Sequence, residues 1–128
     1  MQNRDIYTSA LRLIGEVSEG NEDYEERAPY LLAAFCTESA ETDALYRNEH
    51  SLVPRAKVSS VCLELDEEFP CADRFVSAAS AYLAAMLVID ENMELSDKLF
   101  DRFCNIMATI QSEIPSKIEK IVDRYGAY

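Results

Sequence analysis

The sequence has little glycine and proline and no tryptophan. Three Gly and four Pro in 128 residues are too few for a fold built from many tight turns, so they favour long regular elements. The longest apolar run, 78–89, includes Ser80 and Tyr82 and is shorter than the ~20 apolar residues that a membrane-spanning helix needs. The charged, amphipathic N-terminal residues are not typical of a signal peptide. We therefore expect a cytoplasmic protein without a membrane segment.

Histidine is scarce, and the cysteines do not have the spacing of a metal site. His50 is the only histidine, which excludes Ser-His-Asp and Cys-His nucleophile arrangements and the Glu-x-x-His pairs of di-iron bundles. We interpret it as a loop residue. The four cysteines, Cys36, Cys62, Cys71 and Cys104, contain no C-x-x-C pair, which argues against zinc. They predict reduced thiols packed on helix faces. We expect no enzyme activity, no metal and no cofactor.

Positive charge is also scarce. The chain has 24 acids against 12 bases and a net charge of −12, which repels phosphate backbones. Its Arg and Lys residues are spread singly over most of the chain, so they form no basic stripe of the kind that binds DNA or RNA. The first 48 residues are the acidic end, with ten acids and four bases. This balance predicts a protein that binds other proteins and does not recognise a nucleic-acid sequence.

Apolar residues make up 48% of the chain, enough for one real core. In the first predicted helix, Ile6, Ala10, Leu13 and Val17 follow a repeat of about 3.6 residues, which is typical of an amphipathic helix. The third predicted helix is apolar on nearly every side, as expected of a helix surrounded by others. The sequence thus predicts one all-α domain, 1–128, a bundle of about four main helices. These helices are expected at about 3–17, 24–48, 72–91 and 96–125.

The fourth predicted helix is long for a domain of this size. We expect it to begin at an N-cap Ser96 and to be kinked at Pro115, which cannot complete the helical hydrogen-bond ladder. Its 29 or so residues would extend roughly 40 Å, farther than the other helices can cover. The C-terminal half keeps an apolar face that the chain itself does not obviously bury. This face gives the candidate oligomer interface: Ile114, Ile118, Ile121, Val122 and Tyr125.

The crossover at 49–71 has an ambiguous pattern. Val61, Leu63 and Leu65 alternate with polar neighbours, as in a half-buried strand. The set Val61, Cys62 and Leu65, with Val58, fits one helical face equally well. We favour a short helix or an irregular turn. In the preceding helix, Pro29 is expected in the first turn or at a kink.

Paired carboxylates raise the possibility of an enzyme. All-α nucleotide pyrophosphohydrolases hold Mg²⁺ with E-x-x-E sets, and Glu22-x-x-Glu25 and Glu38-x-x-Glu41 have that form. Residues three apart share a helical face, so each pair could hold a hard cation. However, both pairs lie on one segment, and no Lys or Arg cluster is placed to hold phosphates. A solvated acidic face is the simpler interpretation, and the Mg-dependent pyrophosphohydrolase remains a minor alternative.

The order of the elements resembles the head–tail connector (adaptor) proteins of tailed bacteriophages and prophages. The resemblance lies in DIYTSALRLIGE at 5–16, EDYEERAPYLL at 22–32, LDEEFP at 65–70, ASAYLAAML at 79–87 and the long last helix. The resemblance covers nearly the whole chain, but its motifs are diffuse and none of them is a catalytic signature.

The resemblance implies a homo-oligomeric ring beneath the portal, through which DNA passes, with the portal and other head–tail proteins as partners. Its implied location is the cytoplasm of a bacterial host, and the virion neck in an active phage. An acidic channel would let DNA pass without holding it. The alternative is a small acidic regulatory or antitoxin-like module that masks a basic partner.

Overall fold

The structure, a computed structural model, describes residues 1–16, 21–55 and 60–114. It confirms the all-α class and a compact bundle with a long last helix, and these three ranges contain no β-strand. A single 3-10 turn, Asp73–Phe75, precedes the fourth helix. The helices are α1 Asn3–Leu13, α2 Glu22–Glu38, α3 Ala40–Glu49, α4 Val76–Val88 and α5 Met93–Ser112.

The bundle is built around α4, which packs against α1, α2 and α5. Phe75, Leu83 and Leu87 have no exposed surface, and the alanines of α4 are buried on several sides of the helix. A helix that is apolar nearly all round must have partners on all sides, as the sequence predicted. Small side chains let the neighbouring helices approach closely. The helix itself is shorter than predicted, because the 3-10 turn occupies its expected start.

The predicted helix 24–48 is two helices in the structure, because the helix is interrupted at Ser39. The Ser39 hydroxyl donates to the carbonyl oxygen of Phe35, four residues earlier. A side chain that bonds its own helix in this way competes with the regular ladder and often bends it. Pro29 lies inside α2 and not in its first turn. Its carbonyl accepts a 3.0 Å hydrogen bond from the Leu63 amide of the crossover.

Helix α5 begins earlier than predicted. Asn92 is its N-cap and accepts a 3.1 Å hydrogen bond from the Leu95 amide, as short polar side chains do at helix starts. Ser96, the predicted cap, is buried instead, and its hydroxyl donates to the Ala85 carbonyl of α4 at 2.8 Å. The predicted kink at Pro115 and the continuation to residue 125 lie outside the described residues.

The crossover is irregular where the structure describes it, at 50–55 and 60–71, and it is held by the N-terminus. The amide groups of Asn3 and Arg4 donate to the carbonyls of Glu67 and Leu65 at 2.9 and 2.8 Å. These are amides of the first turn of α1, which have no partner within the helix. Leu63, Leu65 and Phe69 are buried. Residues 60–71 contain no helix; residues 56–59 lie outside the described ranges, so the short helix or irregular turn expected for the whole crossover stays a prediction.

Candidate functional site

A buried carboxylate lies where α3, the crossover and the 3-10 turn meet. Asp43 on α3 is 0% exposed. One of its oxygens accepts a 2.9 Å hydrogen bond from the Ala72 amide. The other lies 3.1 Å from Nε of Arg47 and 3.0 Å from Nε of Arg55. Buried charges persist when they are paired and hydrogen-bonded, and this carboxylate meets both conditions.

Asp43 together with Arg47 and Arg55 is called the carboxylate joint below. Its two guanidinium groups also bond to other parts of the chain. Arg47 donates to the carbonyls of Val53 at 2.8 Å and Pro70 at 3.0 Å. Arg55 donates to the carbonyl of Cys36 on α2 at 3.0 Å. Asp43 and its two arginines therefore connect α2, α3 and both ends of the crossover. Because every carboxylate oxygen has a strong donor, Asp43 is suited to holding structure and not to removing a proton from a substrate.

Two thiols lie against the same guanidinium. The sulfur atoms of Cys36 on α2 and Cys71 in the crossover are 3.5 Å apart, and Nη1 of Arg55 is 3.4 Å from Cys71 Sγ. The hydrogen bond between the two sulfurs lowers the pKa of the Cys71 thiol; burial opposes this change, and the Arg55 charge adds a smaller lowering. The same sulfur contact and burial raise the pKa of Cys36. Of the two thiols, Cys71 is therefore the one that is favoured to ionise.

An open cavity of about 330 Å³ adjoins this cluster. Arg74 at its edge is held by Glu113, with Nε 3.0 Å from one carboxylate oxygen and Nη2 2.8 Å from the other. The Glu113 pKa is lowered by this hydrogen-bonded pairing. The residues that line the cavity are Tyr46, Arg47, Leu52, Val53, Cys71, Ala72, Asp73 and Arg74. Cys71 is the nucleophilic side chain among them.

The four cysteines are free thiols, as the sequence predicted, but only Cys36 and Cys104 lie on helices. Cys62 and Cys71 belong to the crossover, so the prediction that all four pack on helix faces is wrong. His50 follows α3 as its C-cap. Its exposed ring stacks on Tyr46 with the ring centres 4.1 Å apart.

The carboxylate pairs of the enzyme alternative all lie on the surface. Glu25 forms a 3.2 Å ion pair with Arg4, and the break at Ser39 separates Glu38 from Glu41. Across residues 1–16, 21–55 and 60–114, no group of three or more His, Cys, Asp or Glu side chains is placed to hold a metal ion.

Of the candidate interface residues, only Ile114 falls within the described ranges, and it is 3% exposed. Ile118, Ile121, Val122 and Tyr125 lie outside them, so an interface formed by these four residues stays a prediction.

Sequence reasoning missed the carboxylate joint and the thiol pair. Part of the signal was present, because Asp43 and Arg47 have the i, i+4 spacing of a helical ion pair. Arg55 and Cys71 are 12 and 28 residues from Asp43 along the chain, and no spacing rule brings them together. The contact depends on the path of the crossover, which local pattern did not determine.

Within the part of the chain that the structure describes, no helix is both long and apolar enough to cross a membrane. No protein-family model, characterised protein or solved structure gives a significant match to the chain.

Proposed function

We propose that this chain is a structural assembly protein of the head–tail connector type, which forms a homo-oligomeric ring beneath a phage portal. In this proposal no residue has a catalytic role. The observation that carries the proposal is an uneven distribution of charge. Residues 1–114 contain 22 acids and nine bases, whereas residues 115–128 contain two acids and three bases. The C-terminal segment, 115–128, is thus weakly basic, while the body that precedes it is strongly acidic.

The C-terminal segment also carries most of the predicted interface, including Ile118 and Ile121. A segment with apolar side chains and a net positive charge complements an acidic surface on another copy. Complementary charge guides such an encounter, and apolar contact stabilises it. In a head-to-tail contact, two different surfaces of the same chain meet, and the contact produces a ring when the rotation closes.

The body offers an acceptor for this segment on α2. A shallow groove there is lined by Tyr30, Ala33, Ala34, Thr37, Glu38, Ser60 and Val61. Tyr30 and Val61 are 56% and 79% exposed, and because both line the same groove they present adjacent apolar surface to a partner. Glu38 adds a negative charge at its edge. We assign this α2 groove to the C-terminal segment of the neighbouring copy.

The test is the molar mass in solution, measured by light scattering over a concentration series, with and without a candidate portal protein. A large discrete oligomer, alone or on the portal, supports the proposal. In the double variant Ile118→Asp/Ile121→Asp, assembly is expected to stop while circular dichroism shows an unchanged fold, because two charges would be buried in an apolar contact. Glu38→Lys should weaken assembly, since it places a positive charge opposite the basic segment.

Met93→Asp is the matched control. Met93 is 67% exposed and opens α5, so an acid there replaces an apolar side chain outside both proposed surfaces and suits the helix start. Assembly equal to wild type is expected of this variant. If the double variant assembles normally, the C-terminal interface is excluded. A persistent monomer or dimer that ignores the portal and binds one basic partner would favour the regulatory module instead.

A further inference from the structure

The sulfur atoms of Cys36 and Cys71 lie close to each other in the folded chain. The two atoms are 3.5 Å apart, and a disulfide has a sulfur–sulfur bond of about 2.05 Å. The two side chains therefore need to approach by only about 1.5 Å. The pair connects two segments that already pack together, because Cys36 lies on α2 and Cys71 immediately precedes the 3-10 turn.

We propose that Cys36 and Cys71 are a thiol–disulfide site that hydroperoxides oxidise, with Cys71 as the attacking thiolate and Cys36 as the resolving thiol. The roles follow from position. Cys71 lines the open cavity beside α3, through which a small oxidant can approach. Cys36 is 0% exposed and lies behind it. The Arg55 guanidinium, with Nη1 3.4 Å from Cys71 Sγ, is placed to stabilise a thiolate there, and the thiolate is the nucleophilic form of cysteine.

The reaction has two balanced steps. The Cys71 thiolate attacks the outer oxygen of the hydroperoxide, the O–O bond breaks, and the alkoxide or hydroxide that leaves takes up a proton. Cys71 is then a sulfenic acid. The Cys36 sulfur next attacks the Cys71 sulfur, the S–O bond breaks, and the Cys36 proton leaves with the hydroxyl group as water. Two thiols have been oxidised to one disulfide and one peroxide has been reduced. An added dithiol reverses the change by exchange.

The other two cysteines are internal comparisons. Cys104 is exposed on α5, and Cys62 is partly exposed in the crossover. Burial and the nearby Glu64 raise the pKa of Cys62, which disfavours its thiolate. Exposure alone therefore predicts oxidation of Cys104 and Cys62, whereas pairing and charge predict oxidation of the two buried thiols. The two expectations are opposite, so an experiment can separate them.

The test uses the full chain with Cys62→Ser and Cys104→Ser, which leaves only the buried pair. The folded protein is treated with one equivalent of hydrogen peroxide and followed by intact mass and peptide mapping. We expect the loss of two hydrogen atoms per chain, a peptide in which Cys36 is linked to Cys71, and recovery of both thiols with dithiothreitol. The same cross-link is expected in the wild-type chain, which removes any dependence on the two surface substitutions.

Single variants assign the roles. With Cys36→Ser added, Cys71 should stop at the sulfenic acid and be trapped by dimedone. With Cys71→Ser added, Cys36 should remain an unmodified thiol. The proposal is overturned if both thiols survive in the folded protein, if they react only after urea unfolds it, or if peroxide links separate chains. Trapping of Cys36 instead of Cys71 would overturn the assignment of roles.

Discussion

Replacement of Asp43 by alanine tests whether the buried joint holds the crossover in place. The variant leaves the guanidinium groups of Arg47 and Arg55 without their shared carboxylate and the Ala72 amide without its acceptor. Removal of one partner from a buried ion pair costs about 3–5 kcal/mol, because the other charge stays buried without compensation. The arginine side chains are 17% and 12% exposed, and partial hydration places the expected loss near the lower limit, about 3 kcal/mol.

This loss of unfolding free energy is measurable by urea unfolding followed by circular dichroism. In thermal unfolding, domains of this size lose roughly 4 °C in Tm per kcal/mol, so the Tm of the variant should fall by roughly 12 °C. Asp43→Asn keeps the shape and one acceptor but removes the charge, and an intermediate loss is expected.

Asp101→Ala, on the exposed side of α5, is the control for loss of an acid and should stay within about 0.5 kcal/mol of wild type. If Asp43→Ala also stays within about 1 kcal/mol of wild type, the joint does not stabilise the fold and our reasoning about it is wrong.

Two further predictions concern the core and a buried tyrosine. Leu83→Ala in α4 removes a side chain with no exposed surface, so it should reduce the free energy of unfolding, measured by urea titration, by about 2–5 kcal/mol. Leu52→Ala is the control: its side chain is 46% exposed, so the same titration should show little change. Burial and the hydrogen bond to Glu91 raise the pKa of Tyr24 to about 12, so ultraviolet titration should show a late-ionising phenol that Tyr24→Phe abolishes. Because the folded pKa of Tyr24 lies above its unfolded value, the stability that this phenol contributes is present below pH ~10 and lost as pH rises towards ~12. Ionisation of every tyrosine of the folded chain near pH ~10 would contradict this prediction.

The class of the fold and its central helix could be predicted from the sequence, because both depend on the periodicity and number of apolar residues. The boundaries could not be predicted as well. Ser39 interrupts the second predicted helix through a bond to a neighbouring carbonyl, and Asn92 displaces Ser96 as the cap of α5. At Ser39 the deciding contact is local, and residue preferences alone did not indicate it. At α5 the contact is with another helix, because the Ser96 hydroxyl bonds to the Ala85 carbonyl of α4.

The crossover shows why the candidate site was not predictable. Its alternating pattern fitted a strand or a helix, yet its polar groups bond to the first turn of α1 and to Arg47. Each of these partners is distant in sequence. A segment whose backbone is satisfied by remote groups has no local period that reports its shape, and the residues it brings together, such as Asp43 and Cys71, share no spacing rule.

The joint and the thiol pair depend on the same guanidinium, which links structure to the proposed chemistry. Arg55 contacts Asp43, the Cys36 carbonyl and the Cys71 sulfur. A disulfide would remove only the last of these, because it replaces a thiolate that attracts the guanidinium with a neutral sulfur. The contacts to the carboxylate and the carbonyl can persist. Oxidation is therefore compatible with an intact joint, whereas loss of Asp43 would disturb the position of Arg55 and with it the charge that favours the Cys71 thiolate.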